Sequence, residues 1–276
     1  MEDIFDKEKN KVYDVCLNDL MKLNKGKYRE KEMPMLSKRS GIYAYFFIHA
    51  AMFLKESGRL GFITPNSWLD VDYGYDLQRF FLENFRIIAI LESKIERWFT
   101  DADINTAIII LERCSDQKRR DENTVRFIQL KQDLKNLITS DKGEKDRLEK
   151  IQNMISAVES TCTFYDNDSF TIFTKKQGEL WEEGLDDDGK IYVGSKWGKY
   201  LRAPKIYFEI LTKAKIVPLK NVAKIVGGII TGNNDFFYLD NRQELSNGET
   251  LLPNVCEPLL SRPCETTNST PKTRNS

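Results

Sequence analysis

The stretch "GRLGFITPNSWL", residues 58–69, decides how the fold of this chain is predicted. Its first half is a short, continuous apolar run, which is typical of a strand that is covered on both faces. The run stops at Pro65, which cannot donate a ladder hydrogen bond, and polar and aromatic side chains follow it. The pattern therefore predicts a buried strand whose carboxyl end carries Pro65, Asn66 and Trp68.

Helical and strand patterns alternate on both sides of this strand. Before it, "GIYAYFFIHAAMFLKES" (41–57) predicts a helix that is apolar nearly all round, with Ser40 as its N-cap. After it, residues 75–85 predict an amphipathic helix, and residues 86–93 and 106–113 predict two more strands. The link between these two strands contains no helix, so we expect the last strand to run antiparallel to the others. This order predicts an α/β fold.

Composition narrows the class of protein. The chain has 276 residues, of which 41% are hydrophobic and 30% charged, which is typical of a globular protein. Five scattered cysteines without a C-x-x-C pair argue against a disulfide scaffold or a zinc ribbon. The one histidine, His49, lies in an apolar helical run, and we expect it to be buried or semi-buried with a structural role. No signal peptide or membrane-length apolar run is found, which predicts a cytoplasmic protein without a membrane partner.

Changes in amino-acid composition divide the chain into four parts. Residues 1–113 contain the predicted sheet, and residues 114–190 are charge-rich and are interpreted as a connector or insertion. Residues 191–263 become β-rich, with a hairpin signal at Gly232-Asn233-Asn234. Residues 264–276 contain no large apolar side chain and are predicted to be a disordered tail.

Several segments resemble a known family. "YAYFFIHAAMFLKESGRLGFITPNSWL" (43–69) and "WFTDADINTAIIILER" (98–113) resemble the adenine-N6 DNA methyltransferases of type II restriction-modification systems, TaqI-like and gamma-class. The resemblance covers roughly residues 36–113 and resumes at "GKYLRAPKIYFEIL" (198–211) and "VPLKNVAKIVGGIITGNNDFFYL" (217–239). Each motif alone is loose, but their order and spacing together are specific.

The resemblance implies both a fold and an activity. It implies that residues 1–113 are the C-terminal half of a Rossmann-like methyltransferase sheet, and that residues 191–263 start a β-rich target-recognition domain. It implies a site-specific enzyme that transfers a methyl group from S-adenosylmethionine to N6 of adenine in double-stranded DNA. Such an enzyme must flip the base out of the duplex, which costs a few kcal/mol.

The resemblance also implies roles for particular side chains. Phe99 falls where the family places an aromatic ring that stacks on the extruded adenine, and Trp98 is the alternative if the register is off by one. Pro65, Asn66 and Trp68 would wall the base pocket. The alternative from spacing alone is that Pro65 and Asn66 only break the strand, that Trp68 packs under the next helix, and that Phe99 is an ordinary core aromatic.

A second group of candidate residues lies near the predicted hairpin. Thr231, Asn233 and Asn234 carry polar side chains at its tip, and hydrogen bonds from such side chains can read base edges. The neighbouring glycines do not have the spacing of a P-loop or a dinucleotide fingerprint, which favours turns. The first group would contact the flipped base and the second the intact duplex.

The sequence departs from the family in what it lacks. It has no Asn/Asp/Ser-Pro-Pro-aromatic tetrapeptide and no glycine-rich S-adenosylmethionine loop, so no catalytic, cofactor-binding or metal-binding residue is predicted. We interpret the chain as a truncated or split piece that is inactive alone, with a second polypeptide carrying the cofactor-binding half. The strand at 59–64 would then be an apolar edge, which predicts poor solubility or association. The alternatives are a DNA-recognition module without catalysis and a degenerate gene product.

Overall fold

The computed structural model describes residues 2–23, 36–37, 40–99 and 104–213, with short pieces at 216–217, 219, 222–223, 243–244 and 250–251. The chain divides into two units, residues 1–214 and residues 215–276. The hairpin predicted at 232–234, the candidates Thr231, Asn233 and Asn234, and the predicted tail at 264–276 lie outside the described residues.

The first unit combines helices and strands in one α/β arrangement. Its strands are β1 (Arg59–Pro65), β2 (Phe85–Ser93), β3 (Thr106–Arg113), β4 (Thr124–Leu130), β5 (Tyr165–Asp166) and β6 (Phe170–Lys176). Its helices are α1 (Glu2–Leu23), α2 (Ile42–Ala51), α3 (Tyr75–Asn84), α4 (Gln117–Asp121), α5 (Leu134–Ile138), α6 (Glu144–Ser160), α7 (Gln177–Glu183), α8 (Gly198–Arg202) and α9 (Lys205–Lys213). Of the second unit, the structure describes two short antiparallel strands, β7 (Gln243–Glu244) and β8 (Thr250–Leu251).

The six strands of the first unit form one mixed sheet in the order β1-β3-β2-β4-β6-β5. β3 is antiparallel to both of its neighbours, β1 and β2, which confirms the prediction made from the helix-free link before it. β1 and β2 therefore point the same way, and β4 runs parallel to β2. In the described part of the chain β1 pairs only with β3 and lies at the end of the sheet, as predicted.

Alternating side chains place two apolar clusters on opposite faces of the sheet. On β4, Val125 and Phe127 belong to the larger cluster, which α2, α3 and α8 cover. Ile128 and Leu130 belong to the smaller cluster, which side chains of α5 and α6 cover. The sheet is thus packed on both sides at β4.

The covering helix α3 shows how the sequence sets this packing. Leu77, Phe80 and Phe81 fall at the i, i+3 and i+4 positions of one helical face and are buried against the sheet. On the same helix Arg79 and Glu83, four residues apart, form an ion pair with an Nε–Oε1 distance of 3.0 Å. α3 lies between β1 and β2 in the chain and leads directly into β2.

Burial of β1 differs from the sequence prediction. The strand was expected to be covered on both faces, but its exposure alternates, with Gly61 and Ile63 exposed and Thr64 buried. Phe62, on the inner face, lies with its ring centroid 4.9 Å from that of Phe47 in α2. The prediction was wrong because the apolar run fits one packed face as well as two, and among the described residues no element covers the second face.

Two further expectations around α2 need correction. Ser40 is not its N-cap, since the capping residue is Gly41 and no side chain caps the helix. The Ser40 hydroxyl instead donates to the Tyr73 carbonyl oxygen at 3.3 Å. His49 is 49% exposed at its side chain, with Nδ1 2.8 Å from Asp19 Oδ2, so it joins α2 to α1 from the surface.

Residues 114–190 also differ from the connector that their charge suggested. They supply β4, which pairs with β2, and β6, which pairs with β4. Most of the charges lie on the helices and turns, whereas β4 buries Val125, Phe127, Ile128 and Leu130. This segment therefore extends the sheet. No helix in the described residues is both long and apolar enough to span a bilayer.

Candidate functional site

The candidate site lies where β1 and β2 end. Because these strands are parallel to each other, their carboxyl ends share one edge of the sheet, the usual place for ligands in α/β folds. Asn66, directly after β1, donates from Nδ2 to Oε1 of Glu92 in β2 at 2.9 Å. Its backbone N–H donates to the Asn105 carbonyl oxygen at 3.0 Å, just before β3. Asn66 thus joins the ends of all three strands.

An arginine from α8 completes this arrangement. Arg202 Nε lies 3.1 Å from both carboxylate oxygens of Glu92, and its Nη2 lies 2.9 Å from Oε2. Its Nη1 lies 2.5 Å from Oδ2 of Asp70, in the turn after β1. Burial disfavours the arginine charge, but the bonds to Glu92 and Asp70 outweigh it and raise the pKa of Arg202. We call Asn66, Glu92, Asp70 and Arg202 the Glu92 network.

A group of hydroxyls lies beside the end of β1. The Ser67 and Tyr73 hydroxyl oxygens are 2.9 Å apart. Burial raises the pKa of the nearby Tyr43 to about 12, so its hydroxyl is protonated at neutral pH. The buried Thr64 hydroxyl has no hydrogen-bond partner among the described residues. These uncharged groups can donate to or accept from a polar ligand or chain segment.

A cleft of about 530 Å³ runs along the free edge of β1 towards these hydroxyls. Most of its lining is apolar, and Phe46 and Phe53 are 52% and 76% exposed. The principal lining residues are Tyr43, Phe46, Phe53, Gly61, Ile63 and Thr64. An exposed apolar cleft beside an unpaired strand edge is the kind of surface that proteins normally cover.

The structure places Trp68 in the core rather than at the surface. Its exposed fraction is 0%, and its ring lies edge-on to Phe81 and Trp197, with centroids 5.5 Å and 6.0 Å away. This position agrees with the alternative in which Trp68 packs under the next helix. Pro65, half-buried, pairs with Thr106 at the last rung of β1. Of the three predicted wall residues, Pro65 and Asn66 are partly exposed and Trp68 is buried.

The two candidate stacking aromatics differ in their surroundings. The Trp98 ring packs against the smaller apolar cluster, and its Nε1 donates to Glu96 Oε1 at 2.9 Å. Phe99 is 46% exposed in the segment that follows β2. Of the two, Phe99 presents its ring to solvent and is the one accessible to a ligand.

Sequence reasoning missed three members of the Glu92 network. Glu92 is the second-last residue of the largely apolar β2, Asp70 lies in a turn, and Arg202 comes 110 residues after Glu92. The only local signal is a charged residue at the end of an otherwise apolar strand, which marks a buried charge that needs a partner. The identity of that partner has no signal in the neighbouring sequence.

S-adenosylmethionine, the donor that the resemblance implies, does not fit the described strand-to-helix turns. A glycine in such a turn serves the cofactor by leaving space for it. Gly74, between β1 and α3, leaves none, because a Cβ there would lie 2.1 Å from the Trp68 carbonyl oxygen. The turns before α4 and α5 contain no glycine. We therefore assign no residue of this chain to the donor. Across the described residues, no cluster of His, Cys, Asp or Glu could hold a metal ion.

Comparison with known proteins finds a family that is similar to the part of the chain containing β1 and β2. Residues 9–99 match the model of the Eco57I restriction-modification methylase family. This match confirms the resemblance to restriction-modification methyltransferases that the sequence indicated.

Individual relatives agree with this class. The chain is 25% identical over 242 residues to the type II methyltransferase M.AccI of Acinetobacter calcoaceticus, a match that covers 84% of this chain and 37% of the relative. The chain therefore spans little more than a third of that relative's length.

Two solved structures were also matched. The type IIG restriction endonuclease BpuSI aligns with a TM-score of 0.48 and 14% identity, over 74% of this chain and 20% of that one. A type I restriction-modification methyltransferase subunit from Streptococcus thermophilus aligns with a TM-score of 0.36 and 18% identity, over 56% and 30%.

Proposed function

We propose that this chain is part of a site-specific DNA adenine-N6 methyltransferase of a restriction-modification system, and that it supplies the wall of the target-base pocket. The proposal rests on the family match over residues 9–99, within which the ends of β1 and β2 are joined by the bond from Asn66 to Glu92. S-adenosylmethionine supplies the methyl group. The substrate is double-stranded DNA in the cytoplasm.

The exposed ring of Phe99 has a physical role in this proposal. N6 of adenine is inaccessible inside a duplex, so the base is flipped out at a cost of a few kcal/mol. Stacking on an aromatic side chain returns about 1–3 kcal/mol per base. Phe99, which is 46% exposed, provides that face, and Pro65 and Asn66 close the side of the pocket.

The remaining parts of the chain have their own roles in the proposal. Residues 1–113 belong to the catalytic domain, and residues 191–263 begin the target-recognition domain. Thr231, Asn233 and Asn234 contact base edges in the duplex.

A second polypeptide carries the cofactor-binding half and covers the free edge of β1. The apolar cleft there would be costly to leave in water, and it lies next to the unpartnered hydroxyl of Thr64. The partner contributes the glycine-rich loop and the Pro-Pro-aromatic motif. This chain alone therefore does not bind the methyl donor in the proposal.

The test is methyl transfer by this chain with and without the polypeptide encoded immediately upstream in its genome. We expect N6-methyladenine, measured by mass spectrometry of digested DNA, only when both are present. Calorimetric titration of this chain alone with S-adenosylmethionine should show no binding. Transfer by this chain alone, or methylcytosine as the product, would overturn the proposal.

Variants of the exposed loop sharpen this test. Phe99→Ala should lower kcat/KM of the assembled enzyme by about 5- to 150-fold, the equivalent of 1–3 kcal/mol of stacking. Phe99→Tyr should retain most of the activity because it keeps the ring. Ile95→Ala is the matched control, since Ile95 is 56% exposed in the same segment and has no ring. DNA binding without transfer in every combination would favour a recognition module instead.

A further inference from the structure

Glu96 holds the segment that leads from β2 to Phe99. Its carboxylate oxygen Oε1 accepts two N–H groups, from the Trp98 indole Nε1 at 2.9 Å and from the Leu134 backbone at 2.7 Å. Leu134 is the first residue of α5, so one side chain joins the segment after β2 to a helix that begins 38 positions further along the chain. Hydrogen bonds to a carboxylate are stronger than bonds between neutral groups.

The start of the same segment is fixed by bonds to its own backbone. The Lys94 backbone N–H donates to the Leu130 carbonyl oxygen, at the end of β4, at 2.9 Å. The Ser93 hydroxyl oxygen accepts from the backbone N–H groups of Ile95 and Glu96 at 3.3 Å and 3.0 Å. The chain is therefore tied down from the last residue of β2 as far as Glu96 itself.

The Trp98 indole depends on Glu96 to stay where it is. Its ring packs against the smaller apolar cluster, as does the Leu134 side chain. A tryptophan N–H in apolar surroundings normally has a hydrogen-bond partner, because an unpaired N–H would lose the bond that water offers it. Phe99, the next residue, is 46% exposed. With the indole held inwards, Phe99 is the ring of this pair that a ligand can reach.

We propose that Glu96 is a positioning residue that ties Trp98 to the start of α5 and thereby presents the neighbouring Phe99 ring to the extruded base. Glu96 does not touch the base. The two adjacent aromatic residues then have different roles, since Trp98 anchors the segment and Phe99 stacks. This inference rests on the proposed function in taking Phe99 as the stacking ring.

The first measurement follows Trp98 without DNA. The full chain is labelled with fluorotryptophan, which gives one fluorine NMR resonance for each of its four tryptophans, and Trp98→Phe identifies the Trp98 resonance. In Glu96→Ala this resonance should move towards that of free fluorotryptophan, while the other tryptophan resonances stay. Glu96→Gln should keep the wild-type spectrum, because its amide oxygen accepts the same two N–H groups. A folded Glu96→Ala with an unchanged Trp98 resonance would overturn the proposal.

Kinetics of the assembled enzyme then connect Glu96 with Phe99. Glu96→Ala should lower kcat/KM by about fivefold or more, but by no more than Phe99→Ala does. In the Phe99→Ala background the same substitution should have less than about a twofold effect, because no stacking ring is left to position. A purely structural role would instead give losses that multiply, and that outcome would contradict the proposal.

A neighbouring acid is the matched control for Glu96. Asp133 is exposed, directly precedes Leu134, and does not cap α5 with its side chain. Asp133→Ala should change kcat/KM by less than about twofold. An equal loss in Asp133→Ala and Glu96→Ala would show that removing any acid near α5 is enough, which would contradict the role given to the bonds of Glu96.

Trp98→Ala provides a second route if Glu96→Ala does not fold. It removes the anchor itself, so its loss of kcat/KM should shrink to less than about twofold when Phe99 is already alanine. Losses from Trp98→Ala and Phe99→Ala that multiply would contradict the proposal.

The outcomes for this inference and for the proposed function are separable. Absence of methyl transfer in every combination overturns the proposed function, and the fluorine spectrum alone then decides whether Glu96 anchors this segment. Methyl transfer with losses that multiply keeps the proposed function and overturns this inference.

Discussion

The two edge strands of the sheet, β1 and β5, differ in length and in charge. At one end, β1 is seven residues long, with Ile63 41% exposed beside the apolar cleft. At the other end, β5 has two residues, and Lys131 Nζ lies 2.5 Å from the carboxylate of its Asp166. Short, charged edges discourage further strand pairing, whereas long apolar edges promote it. Among the described strands, the β5 edge is therefore protected against further pairing and the β1 edge is not.

The largest expected effect is on association. The double variant Ile63→Lys/Phe53→Ser places a charge on the free edge and removes the most exposed aromatic side chain of the cleft. We expect the wild-type chain to self-associate with rising concentration and the double variant to remain monomeric in sedimentation velocity. Tyr165→Lys, at the β5 edge, should leave the wild-type behaviour unchanged. A wild-type chain that is a single, sharply melting monomer would remove the basis of the comparison.

The second prediction compares a phenylalanine in the packed core with a phenylalanine in the exposed cleft. Phe127 in β4 is 1% exposed, with its ring centroid 4.8 Å from that of Tyr200. Phe127→Ala should lower the free energy of unfolding by about 3–5 kcal/mol, because it leaves a cavity in a packed core. Phe53→Ala should change it by no more than about 0.5 kcal/mol. Urea denaturation in an Ile63→Lys background measures both, and equal losses would mean that the cleft is packed after all.

The third prediction concerns the stability of the protein in acid and the role of Glu183, the last residue of α7. Glu183 accepts bonds from Lys199 at 2.9 Å, from Lys175 at 3.0 Å and from the Tyr200 hydroxyl. Burial alone would raise its pKa, but these three partners outweigh burial and hold the pKa below the ordinary 4.5. A lowered folded-state pKa stabilises the protein above the unfolded value, and that contribution is lost as the pH falls through the folded value.

The variant Glu183→Gln tests the direction of this pH dependence of stability. The wild type should be more stable than the variant at neutral pH, and the difference should shrink as the pH falls below about 4.5. Denaturant titrations at a series of pH values measure it. Glu149→Gln, at an exposed position of α6, should show no such trend. If the stability difference between the wild type and Glu183→Gln grew as the pH fell, the lowered pKa of Glu183 would be contradicted.

The smallest effect is expected at the charged edge itself. The side chains of Lys131 and Asp166 are 29% and 48% exposed, so solvent weakens their attraction. Lys131→Ala should cost about 0.2–1 kcal/mol of unfolding free energy. It should not induce association, because β5 remains too short to template another strand. Association of this variant in sedimentation velocity would show that charge, rather than length, protects this end.

The sequence predicted the first half of this sheet well, for a local reason. Hydrophobic period and the helix-free link before β3 were enough to place α3, β2 and β3 and to orient β3. The place of β4 beside β2 was not predicted, because the charge-rich neighbourhood suggested a connector. At the candidate site, Asn66 and Phe99 came from the family resemblance and Arg202 did not. The bond from Arg202 to Glu92 joins residues 110 positions apart, and no pattern within a sequence window reports such a contact.

The contact of α8 with the turn after β1 has a practical consequence for anyone who exchanges C-terminal segments between relatives. A junction placed at residue 190, where the composition changes, would import a foreign α8 and separate Glu92 from its native arginine. A junction after residue 214, where the first unit ends just beyond α9, keeps the native α8 with its own sheet. Chimeras cut at the later position should keep the native ion pair between Arg202 and Glu92, and those cut at the earlier position should lose it.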